Sequence, residues 1–197
     1  MRMTRLLSAL ILALAAAGHS VLAAEPPPRN VAEVASATFV RGCAAHVGAL
    51  DKLREKMQPG GELYLPRLPD QAARPFLQGR QGEAYIRDEA GVTLAIVPAD
   101  EQCAVFVRRV SSSALNAQVE KDLKTAVGRY FTVQAGGRET KGPLTSRFID
   151  LVPTASYRDE LVGRHGGEPS GLRVIVTTSE SANPDLQAII TIGLRQP

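Results

Sequence analysis

Apolar residues change their spacing along this chain, and each change marks an element. Leu6 to Ala17 is an apolar run with no charge, interrupted only by Ser8. From Val31 to Met57 the pattern becomes helical, with Ala35, Phe39, Cys43, Val47, Leu50 and Met57 on one side. Asp51, Lys52, Arg54, Glu55 and Lys56 fall mostly elsewhere, as an amphipathic helix requires. Asn30 can cap its start. Gly42 and Gly48 weaken its middle and predict a kink, or two helical pieces. Pro59-Gly60-Gly61 ends it, and Pro66, Pro69 and Pro75 predict an irregular surface loop over 58–78.

From Gly82 the period falls to two. Glu83 to Arg87 and Val92 to Val97 flank Asp88-Glu89-Ala90-Gly91, which predicts a hairpin. Cys103-Ala104-Val105-Phe106-Val107 is apolar on both faces and reads as a central strand beneath a helix. Ser111-Ser112-Ser113 can cap a second helix carrying Leu115, Val119, Leu123 and Val127 on one face. Tyr130 to Val133, ended by Gly136-Gly137, and Arg147 to Val152 are further strands. Residues 153–171 are turn-rich. Leu172 to Thr178 and Leu186 to Leu194 form a closing hairpin around Asn183-Pro184-Asp185. The expected fold is α+β: an antiparallel sheet of six or seven strands with two main helices packed on one face.

The first apolar run is too short for the roughly 20 residues that span a bilayer. Arg2 and Arg5 precede it and Val21-Leu22-Ala23 comes after, the layout of a secretory signal peptide cleaved after Ala23. Residues 24–197 then form one domain, with 24–30 an extended lead-in because Pro26-Pro27-Pro28 cannot be helical. No membrane span remains after cleavage, and the expected location is periplasmic or secreted. Without Arg2 and Arg5 the balance is 21 basic against 20 acidic residues. A nearly neutral domain has no long-range field for nucleic acid, so that partner is excluded from the expectations. Cys43 and Cys103 are an even pair in an exported chain and predict a disulfide. Closing so long a loop stabilises a fold by about 4 kcal/mol in the chain-entropy description.

Motifs for chemistry are sparse. His46 lies one helical turn after Cys43, but the pair fills only half of a four-coordinate zinc site, so no metal is expected and His46 reads as a structural or surface residue. His165 lies in a glycine-rich stretch with Asp159 and Ser170, a set that contains the groups of a nucleophile system. Gly167-Glu168-Pro169-Ser170-Gly171 lacks the order of a nucleophile elbow, however. Gly136-Gly137-Arg138-Glu139-Thr140-Lys141-Gly142 lacks the phosphate-loop order, and no cofactor motif occurs.

Phe39-x-x-x-Cys43, Phe76-Leu77-x-Gly79-x-x-Gly82-x-x-Tyr85 and Cys103-x-Val105-Phe106 together resemble a group of exported proteobacterial proteins. In these a helix cysteine and a strand cysteine bracket a Gly-x-x-Gly-x-x-aromatic segment. The resemblance covers residues 36–110 and implies export and the disulfide, with no activity attached. The leading expectation is a non-catalytic binding protein of the bacterial envelope, inhibitor-like, whose partner is another envelope protein. Such a role calls for an exposed apolar patch on 58–78 or 153–171. A hydrolase using the 159–170 loop would need His165 and Ser170 to converge in a pocket. A small-ligand binder would need a cavity of several hundred Å³ between helix and sheet.

Overall fold

The structure is a computed structural model that describes residues 30–167, 169–180 and 187–195, with His165 described by its backbone alone. The expected leader, the lead-in before Asn30 and the Asn183-Pro184-Asp185 turn lie outside the described residues.

Seven strands form one sheet in the order β1-β2-β3-β7-β6-β5-β4, with every neighbouring pair antiparallel. They are β1 (Glu83–Arg87), β2 (Val92–Val97), β3 (Gln102–Val107), β4 (Phe131–Lys141), β5 (Leu144–Pro153), β6 (Leu172–Ser179) and β7 (Ala188–Leu194). The helices are α1 (Val31–Thr38), α2 (Leu50–Lys56), α3 (Asp70–Leu77), α4 (Ser112–Val127) and α5 (Ala155–His165). Helices α1, α2 and α3 precede the β1–β3 meander, α4 precedes the β4–β7 meander, and α5 lies between β5 and β6. The last strand of each meander lies inside the sheet, where β3 and β7 pair. This is the expected α+β architecture.

The alternation along the strands sorts side chains onto two faces. Leu94, Ile96, Val105, Val107, Ile149, Leu151, Val174, Val176 and Ile190 point to one face and meet Phe39, Leu53, Leu115, Val119 and Leu123 in a single core. α1 and α4 lie together on this face. The two are joined by the buried Ser36 hydroxyl, which donates to Asp122 at 2.6 Å.

The first predicted helix is indeed interrupted. Asn30 caps α1 by accepting from the Ala32 N–H. The chain then passes into a π turn over Phe39–Cys43, where the Ala44 N–H reaches back to the Phe39 carbonyl. A 3-10 turn over Ala44–His46 comes next, and α2 starts after Gly48, whose φ of 71° suits glycine. Gly42 marks the crowded point, since a Cβ there would sit 2.8 Å from Leu94 Cδ1. The π turn carries Cys43 onto β3, where it is bonded to Cys103 across 60 residues with Cα atoms 5.3 Å apart.

Three expectations change. The 58–78 segment is not wholly irregular, because Asp70–Leu77 is helix α3 despite Pro75. Ala73 and Leu77 are buried against Ala84, Ala95, Val97 and Phe106 on the second face of the sheet, and Phe76 stacks edge-on against Phe106 at 5.2 Å. That burial outweighs the one hydrogen bond the proline removes. Residues 155–165 are likewise helix α5 rather than loop, ended by Gly166 at a φ of 71°. β4 does not stop at Gly136-Gly137, because the pair forms a bulge that shifts the register between Ala135 and Gly137 and lets the strand run on.

Candidate functional site

Between α1 with its π turn, α2, the 62–65 segment and the β1–β2 hairpin lies a cavity of about 300 Å³. Val34 and Leu63 give it accessible apolar surface, and the buried core residues Leu53, Met57, Leu65 and Leu94 back it. Its position stems from the interrupted helix. A π turn inserts an extra residue and rotates the next part of the chain, and such turns recur at functional sites. Thr38, Arg41 and Gly42 line the cavity from this segment. The bond from Cys43 to Cys103 holds the turn against β3, while His46 steadies it by donating from Nδ1 to the Gly42 carbonyl at 2.8 Å. His46 is thus a structural residue, buried and bonded to the turn it follows.

The mouth is charged. Glu62 lies 3.7 Å from Arg41 and 3.6 Å from Lys56, tying the 62–65 segment to the π turn and to α2. These side chains are well exposed, so the ties are weak latches. Tyr64 stands half in solvent beside them.

The wall built by β1 holds the unusual chemistry. Glu83, Tyr85 and Arg87 lie opposite Ile96, Leu94 and Val92, and therefore share the helix-side face with apolar residues. Glu83 is fully answered there. Arg54 donates to both of its oxygens at 2.8 Å, and the Tyr85 hydroxyl donates at 3.0 Å. The Arg54 hydrogen bonds hold the Glu83 carboxyl below its ordinary range, against the opposing effect of burial, with Tyr85 assisting. Burial and the bond to Glu83 push the Tyr85 hydroxyl up to about 12.

Arg87, two residues further along the same face, lines the cavity. It is half-buried, its Nε is buried with no hydrogen-bond partner, and no carboxylate among the described residues forms an ion pair with it.

The residues singled out for catalysis lie elsewhere. Asp159 is exposed on α5, 3.9 Å from Arg158 Nε. Ser170 is exposed in the turn after α5, at the rim of a second, apolar hollow of about 590 Å³. Phe131, Tyr157, Leu161, Leu172 and Leu194 line that hollow. The His165 side chain lies outside the described residues. No group of three or more His, Cys, Asp or Glu side chains suited to a metal ion occurs among the described residues.

Sequence reasoning missed Arg87. The available signal was a charged residue at an alternation position opposite Val92, on the face that carries Leu94 and Ile96.

No family model matches the chain, and no curated protein or solved structure is similar enough to count as a relative.

Proposed function

We propose that the chain is an exported, non-catalytic binding protein that holds a small organic ligand in the cavity between the α1 π turn and the β1–β2 hairpin. The cavity is the observation that carries this reading. It lies at the lower end of the roughly 300–1,000 Å³ typical of ligand sites, and combines apolar walls with a few placed polar groups. Export is supported by the disulfide, a bond that persists in oxidising compartments. No helix among the described residues is long and apolar enough to cross a membrane.

Ala37 is exposed at the cavity's edge, so Ala37→Trp places an indole over the mouth while sparing the core. In a small-molecule screen by saturation-transfer NMR, ligands of the wild-type protein should lose binding to this variant. Equal binding to both proteins would refute the assignment of the site. Intact mass of the protein recovered from the periplasm should correspond to a chain beginning at Ala24. Recovery of full-length chain inside the cell would refute export.

A second reading, binding of another envelope protein, rests on the hollow beneath α5, where Val47 and Leu194 are 37% and 72% exposed. It predicts that Leu194→Asp abolishes capture of the partner while Ala37→Trp leaves capture intact.

A further inference from the structure

Resting on the cavity as the binding site, we propose that its ligand is a small monocarboxylic acid with an apolar body, held by a charge-assisted pair with Arg87. Charged groups withdrawn from water are normally paired, because an uncompensated ion in a low-dielectric setting is costly. Arg87 is half-buried with its Nε fully enclosed, and no partner is supplied by the described residues. The neighbouring carboxylates are committed or distant. Glu83 is taken by Arg54 and Tyr85, and Glu62 lies between Arg41 and Lys56. Glu33 lines the same cavity and makes no ion pair with Arg87.

The planar guanidinium fork matches a carboxylate in two parallel hydrogen bonds. The rest of the cavity selects the remainder of the molecule. Val34, Leu63 and Tyr64, the apolar and aromatic lining residues that stay accessible, offer a chain or ring a surface, with Leu53, Met57 and Leu94 buried behind them. The volume favours a small ligand. Of the two arginines on the lining, Arg41 is tied to Glu62, which leaves Arg87 to match a single negative charge. Glu33 and Glu62, both on the lining, oppose a polyanion such as a nucleotide phosphate.

The test titrates the full protein with hexanoate and phenylacetate, each against its neutral amide, using ligand-observed NMR. The wild type should bind the acids at least tenfold more tightly than the amides. Arg87→Gln should bring acid and amide affinities together, and Arg87→Lys should restore part of the preference. Thermal melting gives a second readout: without ligand, Arg87→Gln should melt no lower than wild type, whereas a structural arginine would lower the melting point when removed. Acids and amides that bind alike, and lose binding alike in Ala37→Trp, would overturn the carboxylate assignment and leave the cavity reading standing. Acids that ignore both Arg87→Gln and Ala37→Trp, or that fail to bind along with the amides, would overturn both.

Discussion

The two ends of the sheet are built differently. Strands β1–β3 are enclosed from both sides, by α1 with its π turn on one face and by α3 on the other, and a disulfide pins the helix side to β3. While β7 adds Ile189 to the cluster under α3, strands β4–β6 have their core on one face only. Their other face carries half-buried Phe148, Ile175 and Thr177 together with Asp150, under no helix among the described residues. Each end holds a charge within the sheet. Asp150 is 7% exposed, and Arg173 grips it with bonds of 2.7 and 3.1 Å while Arg195 stands 3.7 Å away. The Arg173 bonds hold the Asp150 carboxyl below its ordinary range, against the effect of burial. Arg87 at the enclosed end has no such company. Where a charge serves stability, the fold supplies its counter-ions; the one left open beside a cavity is available to a ligand.

This contrast can be broken most forcefully at the disulfide. Replacing Cys43 and Cys103 together by Ser should cost about 4 kcal/mol of unfolding free energy, because the long loop regains its freedom in the unfolded chain. Denaturant unfolding measures it, and a loss below about 1 kcal/mol would mean that the enclosed end does not depend on its staple. At the other end, Arg173→Met leaves Asp150 buried with only the more distant Arg195. A loss of stability smaller than that of the disulfide pair is expected in denaturant unfolding, because the exposure of the arginine screens the pair. Asp150→Ala in the Arg173→Met background should then add little, since the pair acts as one unit.

Acid supplies a gentler test. Glu83, Glu120 and Asp150 all have folded-state pKa values below their ordinary ones, with hydrogen bonds from Arg54, Lys124 and Arg173 as the leading causes. A depressed carboxyl stabilises the fold fully above its unfolded value and loses that contribution as pH falls through its folded value. The melting temperature should therefore be level above about pH 5 and decline below it. Glu83→Gln should flatten the decline. A melting temperature that rises on acidification would contradict the pairing.

Much of this architecture is readable before folding. The strands announce themselves because one buried face forces alternation, and the cysteines because their positions fall on the apolar stripe of a helix and in an apolar strand. The failures have physical causes. α3 is disguised by Pro75, although Ala73, Phe76 and Leu77 sit at helical spacing. α5 has no fully buried residue among those whose side chains are described, and it leans on the sheet through Tyr157 against Phe131 and Tyr130, so no apolar stripe marks it. The bulge in β4 hides behind a glycine pair that resembles a stop.

The candidate site was the least legible part. Glu83 and Arg87 look alike in sequence, as charges on an alternating strand. They differ only because Arg54 is folded back onto Glu83 from 29 residues away, while no described carboxylate returns to Arg87.

The most direct measurement is a pair of melting curves for the wild type and Arg87→Gln, each with and without saturating hexanoate. An open guanidinium reserved for an acid predicts a reversal of order: the variant about as stable or up to about 1 kcal/mol more stable alone, and the less stable of the two with the acid bound. A variant that is less stable in both conditions by the same margin would make Arg87 an ordinary structural residue and contradict its assignment to a ligand.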